Sequence, residues 1–222
     1  MKKLFFIAAM VLTQISVGQV SKNIGDFDSV KVFDRLNVQL IPSSQNKIEI
    51  TGNRSNEVET VNKNGELKIR MSLGKLLKGE EIKVKLYFKK IQSIDASEGA
   101  VVTSDKSFKQ TSIAITAKEG AQITVPLNVE KAKVKSVTGA IVQLSGSASV
   151  QDASLGTGGV LEAKDLKTSQ TTVAITTGGE ASVSATDLVD AKVRAGGTIL
   201  IYGSPKKINQ NTVLGGSIKE VK

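Results

Sequence analysis

The sequence contains no cysteine, no histidine and no tryptophan, and only three prolines. Without cysteine there are no disulfide bonds, and the N-terminus cannot carry the lipid anchor of a bacterial lipoprotein. Without histidine there are no imidazole bases, no Ser-His or Cys-His nucleophile pairs, and none of the usual imidazole ligands of zinc. We therefore expect no cofactor and no metal centre. Aromatic residues make up 4% of the chain, which fits a narrow interior filled by Val, Ile, Leu and Ala.

The first 18 residues have the pattern of a signal peptide. Met1, Lys2 and Lys3 form a charged start, residues 4–12 are an apolar run, and residues 16–18 place small side chains before the cleavage point. The apolar run is too short to cross a bilayer comfortably. The pattern predicts export to the periplasm, the cell surface or the medium, and a mature chain that is not an integral membrane protein. Loss of Lys2 and Lys3 lowers the formal charge from +9 to +7.

Residues 19–95 are predicted to form a β-rich N-terminal portion. Short segments alternate apolar and polar side chains with a period of two, the pattern of strands with one buried face. These segments are residues 30–32, 36–40, 48–50, 67–71 and 82–88. Residues 74–81 are the one stretch where a helical turn or a mobile loop is expected. Because no Pro/Ser-rich linker follows, this portion should continue directly into the next region and cover its first coil.

A glycine-centred cassette returns seven times in residues 96–222. The cassettes are EGAVV (98–102), EGAQI (119–123), TGAIV (138–142), TGGVL (157–161), TGGEA (177–181), AGGTI (195–199) and LGGSI (214–218). Their first glycines are Gly99, Gly120, Gly139, Gly158, Gly178, Gly196 and Gly215, separated by 21, 19, 19, 20, 18 and 19 residues. A period this regular, rich in glycine and β-branched residues, predicts one stacked coil of strands per repeat.

The predicted fold class is therefore all-β, a parallel β-helix solenoid of about seven coils with right-handed winding favoured. Residues three and five positions after each glycine, such as Ile123 and Val125, should point inward, and the residue between them should face solvent. The glycines should form tight corners where φ is positive or neighbouring coils approach closely. A left-handed hexapeptide helix is the alternative, because Leu155 and Leu161 are six residues apart, although this phase is lost between coils.

Three sequence features carry a family resemblance. They are the lead-in FDSVKVFDRLNVQLI, the repeated cassette, and the step Tyr202-Gly203-Ser204-Pro205 before Gly215-Gly216. The chain resembles the putative auto-transporter adhesin, head GIN domain family, which has no known function and is typical of Bacteroidetes-type bacteria. The resemblance covers roughly residues 27–218. It implies a pectin-lyase-like β-helix and a role in cell adhesion, and it carries over no catalytic residues.

The candidate ligand-binding residues lie on two strands of the N-terminal portion. Lys83, Lys85, Tyr87 and Lys89 alternate along one strand and should point to one side, and Lys68 and Arg70 would join them if the two strands pair. Such a face suits an anionic glycan, lipopolysaccharide or another envelope component. The alternative is a solvated strand face whose lysines discourage edge-to-edge aggregation. Nucleic acid is not expected, because no set of base-stacking aromatics accompanies the lysines.

Two acids occupy the same place in successive cassettes, directly ahead of the corner glycine. Glu98 and Glu119 would lie about 5 Å apart, the spacing of neighbouring strands. Such a pair could bind calcium or share a proton in glycoside chemistry. The same column continues with Thr138, Thr157 and Thr177, and the glycine turns lack the regular aspartates of calcium-binding repeats. The pattern therefore favours a structural corner.

The sequence favours a non-catalytic exported protein of the cell envelope that binds a glycan or another surface component through a β-helix flank. One alternative is a β-helix polysaccharide lyase or hydrolase, which needs a basic residue beside converging acids. Arg194 is the only arginine in the repeat region, and its aspartates are dispersed among turns. The other alternative is a structural module whose copies associate end to end or side by side.

Overall fold

The computed structural model describes residues 19–221, so the signal peptide predicted for residues 1–18 lies outside the described part of the chain. This part contains seventeen strands and one short 3₁₀ helix, Ser55–Glu57. The strands are β1 (Gln19–Asn23), β2 (Ser29–Val32), β3 (Asn37–Pro42), β4 (Lys47–Thr51), β5 (Val58–Lys63), β6 (Glu66–Met71), β7 (Lys83–Phe88), β8 (Ser93–Ala96), β9 (Val101–Thr103), β10 (Phe108–Ala117), β11 (Gln122–Val137), β12 (Ile141–Gly156), β13 (Gly159–Thr177), β14 (Gly179–Ala195), β15 (Thr198–Tyr202), β16 (Lys207–Leu214) and β17 (Ser217–Glu220). The all-β class is confirmed, and residues 74–81 form a loop of turns without helix.

Parallel pairing between successive coils builds the solenoid. The chain returns to the same position after each cassette, so that Ile123 lies opposite Val142 and Val142 lies opposite Leu161. Each rung therefore exchanges ladder hydrogen bonds with the rungs on either side. The predicted β-solenoid of about seven coils is confirmed. Its right-handed winding stays a prediction.

Aliphatic side chains fill the interior in the columns that the cassettes predict. The inward positions after the first six glycines are all buried: Val102, Ser104, Ile123, Val125, Val142, Leu144, Leu161, Ala163, Ala181, Val183, Ile199 and Ile201. Complete burial of one such Val, Leu or Ile side chain stabilises the fold by about 1.5–3 kcal/mol. On the outer face, Thr124 donates a hydrogen bond to Gln143 (2.9 Å), and Gln143 donates one to Glu162 (2.8 Å). These bonds link the outer surfaces of three successive coils.

The N-terminal portion does not enter the stack in chain order. β2 lies between β6 and β8, and β3 lies between β7 and β9, with parallel pairing on both sides. Val30, for example, lies opposite both Leu67 and Ile94. The coil formed by residues 29–42 is thus inserted between a coil that follows it in sequence and the first coil of the repeat region. All of these coils share one continuous hydrophobic core.

The two ends of the solenoid are built differently. At the N-terminal end, antiparallel strands cover the first coil, since β5 pairs with β6, β4 pairs with β7, and β1 pairs with β4. At the C-terminal end of the described chain, β16 pairs only with β14, and β17 pairs only with β15. Val213 and Leu214 of β16 are 60% and 74% exposed. The last described coil therefore presents open parallel strand edges.

The glycine corners combine two separate steric constraints. The seven corner glycines all have φ between 40° and 74°. At Gly158, for example, an added Cβ would meet nothing within 4 Å, so backbone conformation alone favours glycine there. The next residue is alanine in the first three cassettes and glycine in the last four. At Gly159 an added Cβ would overlap the carbonyl oxygen of Ser136 in the neighbouring coil. Close approach between coils therefore acts on the second position of the cassette.

Candidate functional site

The structure separates the two strands that carry the predicted binding residues. β6, with Lys68 and Arg70, pairs with β5 and β2, whereas β7, with Lys83 and Lys85, pairs with β4 and β3. Pairing of β6 with β7, the condition for one joint basic face, does not occur. Consecutive strands of a coil lie on different flanks because a corner turns the chain between them. The predicted residues therefore form two separate groups.

Ion pairs offset most of the positive charge of the group on β6. Lys68 Nζ lies 3.4 Å from Glu66 Oε1, and Arg70 Nη2 lies 3.0 Å from Glu59 Oε2. Glu66 also pairs with Lys31 at 2.7 Å. The hydrogen bond between them lowers the pKa of the Glu66 carboxyl and raises the pKa of the Lys31 amine. Two acids thus offset most of the charge of three bases, so the β6 group offers less free charge to an anionic ligand.

The group on β7 keeps more free positive charge, although Lys85 lies opposite Glu49 of β4 and helps to lower the pKa of that carboxyl. Lys83 and Lys85 are exposed on the outer side of the strand, and neither forms an ion pair within residues 19–221. Lys89, just beyond the strand, lies 3.1 Å from Asp26, in a pair whose side chains are both largely exposed. Such exposed pairs contribute little stability and exchange readily with other partners. This group is therefore the better candidate for anion binding.

The ring of Tyr87 is held in place beside these lysines. Its hydroxyl donates a hydrogen bond to Glu49 (3.1 Å), and Lys47 Nζ lies 5.7 Å from the ring centroid. Lys47 also pairs with Glu49 at 2.7 Å, and this hydrogen bond lowers the pKa of the Glu49 carboxyl. Desolvation, followed by the nearby Glu49 carboxylate, raises the pKa of the Tyr87 hydroxyl. The fixed ring adds a flat apolar surface to the charged strand.

A groove of about 480 Å³ adjoins the end of β7. Its lining residues are Pro42, Phe88, Lys89, Lys90, Ser107, Phe108, Lys109 and Gln110. The rings of Phe88 and Phe108 stack with centroids 5.3 Å apart and planes 9° apart, and they support the apolar part of the groove. Three lysines thus border a partly apolar depression next to the charged strand. We call the combined surface the basic flank; it consists of Lys83, Lys85, Tyr87, Lys89, Lys90 and Lys109.

Two members of the basic flank escaped prediction from the sequence. Lys90 follows Lys89 directly, so the lysine pair was a visible signal, but it breaks the alternation that defines one strand face. Lys109 lies 20 residues after Lys89 and comes close to Lys89 and Lys90 only through the stacking of coils. The hydrogen bond between Gln39 and Asp105 (2.7 Å) is on the same side of the solenoid and adds an acid to its surroundings.

The acid column at the corners has a third member that the cassettes do not reveal. Asp34 and Arg35 occupy the corner of the inserted coil, and the backbone N–H of Arg35 donates to the carbonyl of Glu98 (3.0 Å). The next rung repeats this bond from Gly99 to Glu119 (3.0 Å). Desolvation raises the pKa of the Glu98 carboxyl, and the neighbouring charges of Asp34 and Glu119 raise it further. Within residues 19–221, no group of three acids is arranged to hold a metal ion.

Replacing Glu98 by glutamine is expected to raise the melting temperature at pH 7.5 and to have little effect near pH 3. A carboxyl with a raised folded-state pKa favours the fold while it is protonated, and this contribution is lost as pH rises through that pKa. Glutamine mimics the protonated form at every pH. Thermal unfolding of both proteins across this range is the measurement, with the exposed Glu130→Gln as the control. An equal difference at both pH values would contradict the electrostatic explanation.

Among the described residues, no helix is long and apolar enough to span a membrane. Arg194 lies at the end of β14, before a corner, whereas Glu162 lies near the start of β13, after a corner.

Comparison with solved structures places this molecule among β-solenoid proteins of bacterial origin. A putative adhesin from Bacteroides fragilis has a TM-score of 0.84 at 19% identity, over 91% of this chain and 96% of its own. A putative lipid binding protein from Parabacteroides distasonis has a TM-score of 0.70 at 18% identity, over 92% and 96% of the two chains. A putative adhesin from Parabacteroides merdae reaches 0.64 at 19% identity, with the same coverage. At these identities the likeness establishes the fold.

The fold is a β-solenoid of the kind that these bacterial proteins share. The family model described as "Putative auto-transporter adhesin, head GIN domain" matches residues 26–205, and the chain belongs to this family. No curated protein matches the chain. The family description names an adhesin, and the descriptions of the three structures name adhesins or a lipid binding protein.

Proposed function

We propose that this protein is an exported, non-catalytic component of the cell envelope that binds an anionic glycan through the basic flank. The observation that carries the proposal is the presence of unpaired, exposed Lys83 and Lys85 beside a fixed tyrosine ring and a lysine-bordered groove. The adhesin description of the family supports a role in binding at the cell surface. The predicted signal peptide supports export.

The chemistry of the basic flank matches a polymer that carries both charge and flat apolar faces. Lys83 and Lys85 are two residues apart on one strand, which places them about 7 Å apart along it. They can therefore meet successive anionic groups of an extended chain. The Tyr87 ring and the apolar part of the groove can contact the carbon faces of sugar rings. Carboxylated or sulfated polysaccharides and the phosphorylated sugars of lipopolysaccharide share this chemistry.

Binding of the protein to polygalacturonate is expected to weaken at least tenfold between 50 and 500 mM NaCl. The attraction arises from exposed charges, and such charges are screened over about 8 Å at physiological ionic strength. Replacing Lys83, Lys85 and Lys89 together by glutamine should remove most of the binding. The melting temperature should stay within a few degrees, because exposed strand charges contribute little stability. Biolayer interferometry with immobilised polysaccharide measures the binding.

The control is a matched triple change on another flank. Lys131, Lys133 and Lys135 on β11 are also exposed and also alternate along one strand. Replacing these three by glutamine removes the same net charge and should leave most of the binding intact. Equal losses in the two triple variants would show that net charge, and not the basic flank, controls binding. Intact and dephosphorylated lipopolysaccharide, with neutral dextran as a blank, separate the two sources of anionic sugar.

Self-association is a second candidate function, and one observation favours it. The strands β16 and β17 each have one unpaired edge within the described chain, and Val213 and Leu214 are exposed beside it. Unpaired parallel edges readily accept another strand. End-to-end contact through this surface is our expectation for any assembly of several copies.

A further inference from the structure

Three leucines project from the loop that connects β6 and β7. We call residues 72–82 the leucine loop. Leu73 is 80% exposed, Leu76 is 50% exposed and Leu77 is 43% exposed. Single exposed apolar side chains are common on protein surfaces, but a local cluster of them indicates an interaction site. The other large exposed apolar side chains of the described chain lie on β5, β12 and β16.

The backbone of the leucine loop is fixed to the core. The carboxylate of Asp34, which is 1% exposed, accepts hydrogen bonds from the N–H groups of Met71 and Leu77, both at 2.9 Å. The N–H of Gly79 donates to the backbone carbonyl of Asp34 at 3.0 Å. Gly79 packs so tightly against Asp34 and Leu36 that an added Cβ would lie 2.6 Å from that carbonyl oxygen. The exposed leucines are therefore presented by an anchored loop.

The conformation of Leu77 adds independent support. Its φ is +59°, in the left-handed region that leucine adopts at a cost and that glycine or asparagine adopts readily. The Asp34 bond holds the residue there. A leucine at this position is unfavourable for the fold and leaves its side chain 43% exposed. Backbone strain of this kind concentrates at functional sites.

Cationic side chains alternate with the leucines. Lys75 and Lys78 lie within residues 73–78, the segment that carries the leucines. Lys75 has only a long ion pair, 3.8 Å from Glu57, and Lys78 has none within the described chain. The acids Glu80 and Glu81 follow Gly79 and are exposed. They line a hollow with Lys78 and Arg54, and Arg54 pairs with Glu57 at 2.7 Å. Residues 73–78, with three leucines, two lysines and no acid, match a bilayer surface that has anionic headgroups, because the leucine side chains can enter the interface while the lysines remain at the phosphates.

We propose that the leucine loop docks this protein on an anionic lipid bilayer. Leu73, Leu76 and Leu77 insert into the headgroup region, and Lys75 and Lys78 contact lipid phosphates. This site is separate from glycan binding by the basic flank. It uses different side chains, and its occupant is a membrane surface.

The absence of tryptophan from the chain permits a direct test. Leu73→Trp introduces a single tryptophan in the loop, whose emission can be excited selectively, and Val213→Trp is the matched control at the opposite end. With vesicles of phosphatidylglycerol and phosphatidylethanolamine, the Leu73→Trp emission should shift to the blue and become protected from acrylamide. The control should do neither. No change for Leu73→Trp, or an equal change for both variants, would overturn the proposal.

Vesicle sedimentation of the full chain supplies the second measurement. The variant L73S/L76S/L77N should bind these vesicles at least about tenfold more weakly, because three apolar side chains no longer leave water. It should keep its melting temperature, since asparagine suits a positive φ. Its binding to polygalacturonate should be unchanged. K75Q/K78Q should weaken binding to anionic vesicles severalfold and leave binding to pure phosphatidylcholine unaltered. Unchanged sedimentation of the leucine variant, or equal wild-type binding to both vesicle types, would contradict docking on an anionic bilayer.

Discussion

Gly159→Ala is expected to lower the free energy of unfolding by about 3 kcal/mol, the upper part of the range for inserting atoms into a packed interior. The added Cβ would overlap the carbonyl oxygen of Ser136, which is backbone and cannot rotate away. Relief would require the two coils to separate locally and stretch their ladder hydrogen bonds. Equilibrium unfolding in urea measures the change.

The adjacent Gly158→Ala is the matched control. Gly158 has a φ of 74°, and an added Cβ there would meet nothing within 4 Å. Its replacement should lower the free energy of unfolding by about 1–2 kcal/mol, because an L-residue adopts the left-handed conformation unfavourably. The predicted order of the two variants thus separates close approach from backbone conformation. If Gly158→Ala proves as damaging as Gly159→Ala, the assignment of the two positions in the cassette is wrong.

Asp34→Ala is expected to destabilise the protein by about 3 kcal/mol. A hydrogen bond to a charged acceptor contributes about 1.5–3 kcal/mol, and the contributions of two bonds to one carboxylate are not fully additive. The change leaves the N–H groups of Met71 and Leu77 without their acceptor. Met71 is fully buried, so water cannot replace the lost bond there. Asp34→Asn retains one carbonyl acceptor and should lose less stability.

Two measurements make this second prediction specific. The melting temperature should fall in the order wild type, Asp34→Asn, Asp34→Ala. Asp165→Ala, at an exposed position, should have the melting temperature of the wild type. Amide hydrogen exchange should show faster exchange at Leu77 in Asp34→Ala, since its partner is gone. Slow exchange at Leu77 in that variant would mean that the loop does not depend on the buried carboxylate.

The repeat region was predictable because one physical requirement recurs in every coil. Each corner needs a positive φ, and each strand after it needs alternate aliphatic side chains, so both signals repeat at the same interval. The N-terminal portion has no such repetition. β5 has the sequence VETVNK, whose weak alternation gives little indication of a strand. Its role as a cover for β6 depends on tertiary pairing alone.

The spatial order of the first coils could not be derived from periodicity. Alternation shows that a segment is a strand, but it does not show which strand lies beside it. The assumption that neighbouring segments pair fails for β6 and β7, which lie on different flanks. Asp34 was missed for a related reason. Arg35 stands where the cassettes have glycine, so the corner of residues 29–42 does not resemble the others in sequence.

The candidate site shows the same division between local and tertiary information. Lys83, Lys85, Tyr87 and Lys89 alternate on one strand and were found from that pattern. The groove needs Phe88 and Phe108 to stack, and these residues are brought together only by the winding of the coils. Leu73, Leu76 and Leu77 have no period at all. Their exposure follows from the anchoring of the loop by Asp34.

The inserted coil of residues 29–42 gives the molecule an asymmetric response to mechanical tension. A pull on β17 loads the outermost coil, whose strands can peel away one rung at a time under low force. A pull on the N-terminal side first peels β1 from β4, and it then reaches β2 and β3, which are hydrogen-bonded on both edges. Extracting β2 or β3 requires the hydrogen-bond ladders on both edges of the strand to break together. For a protein stretched between two anchoring points under flow, rupture would begin at the C-terminal coils while the surfaces near the N-terminal end keep their shape.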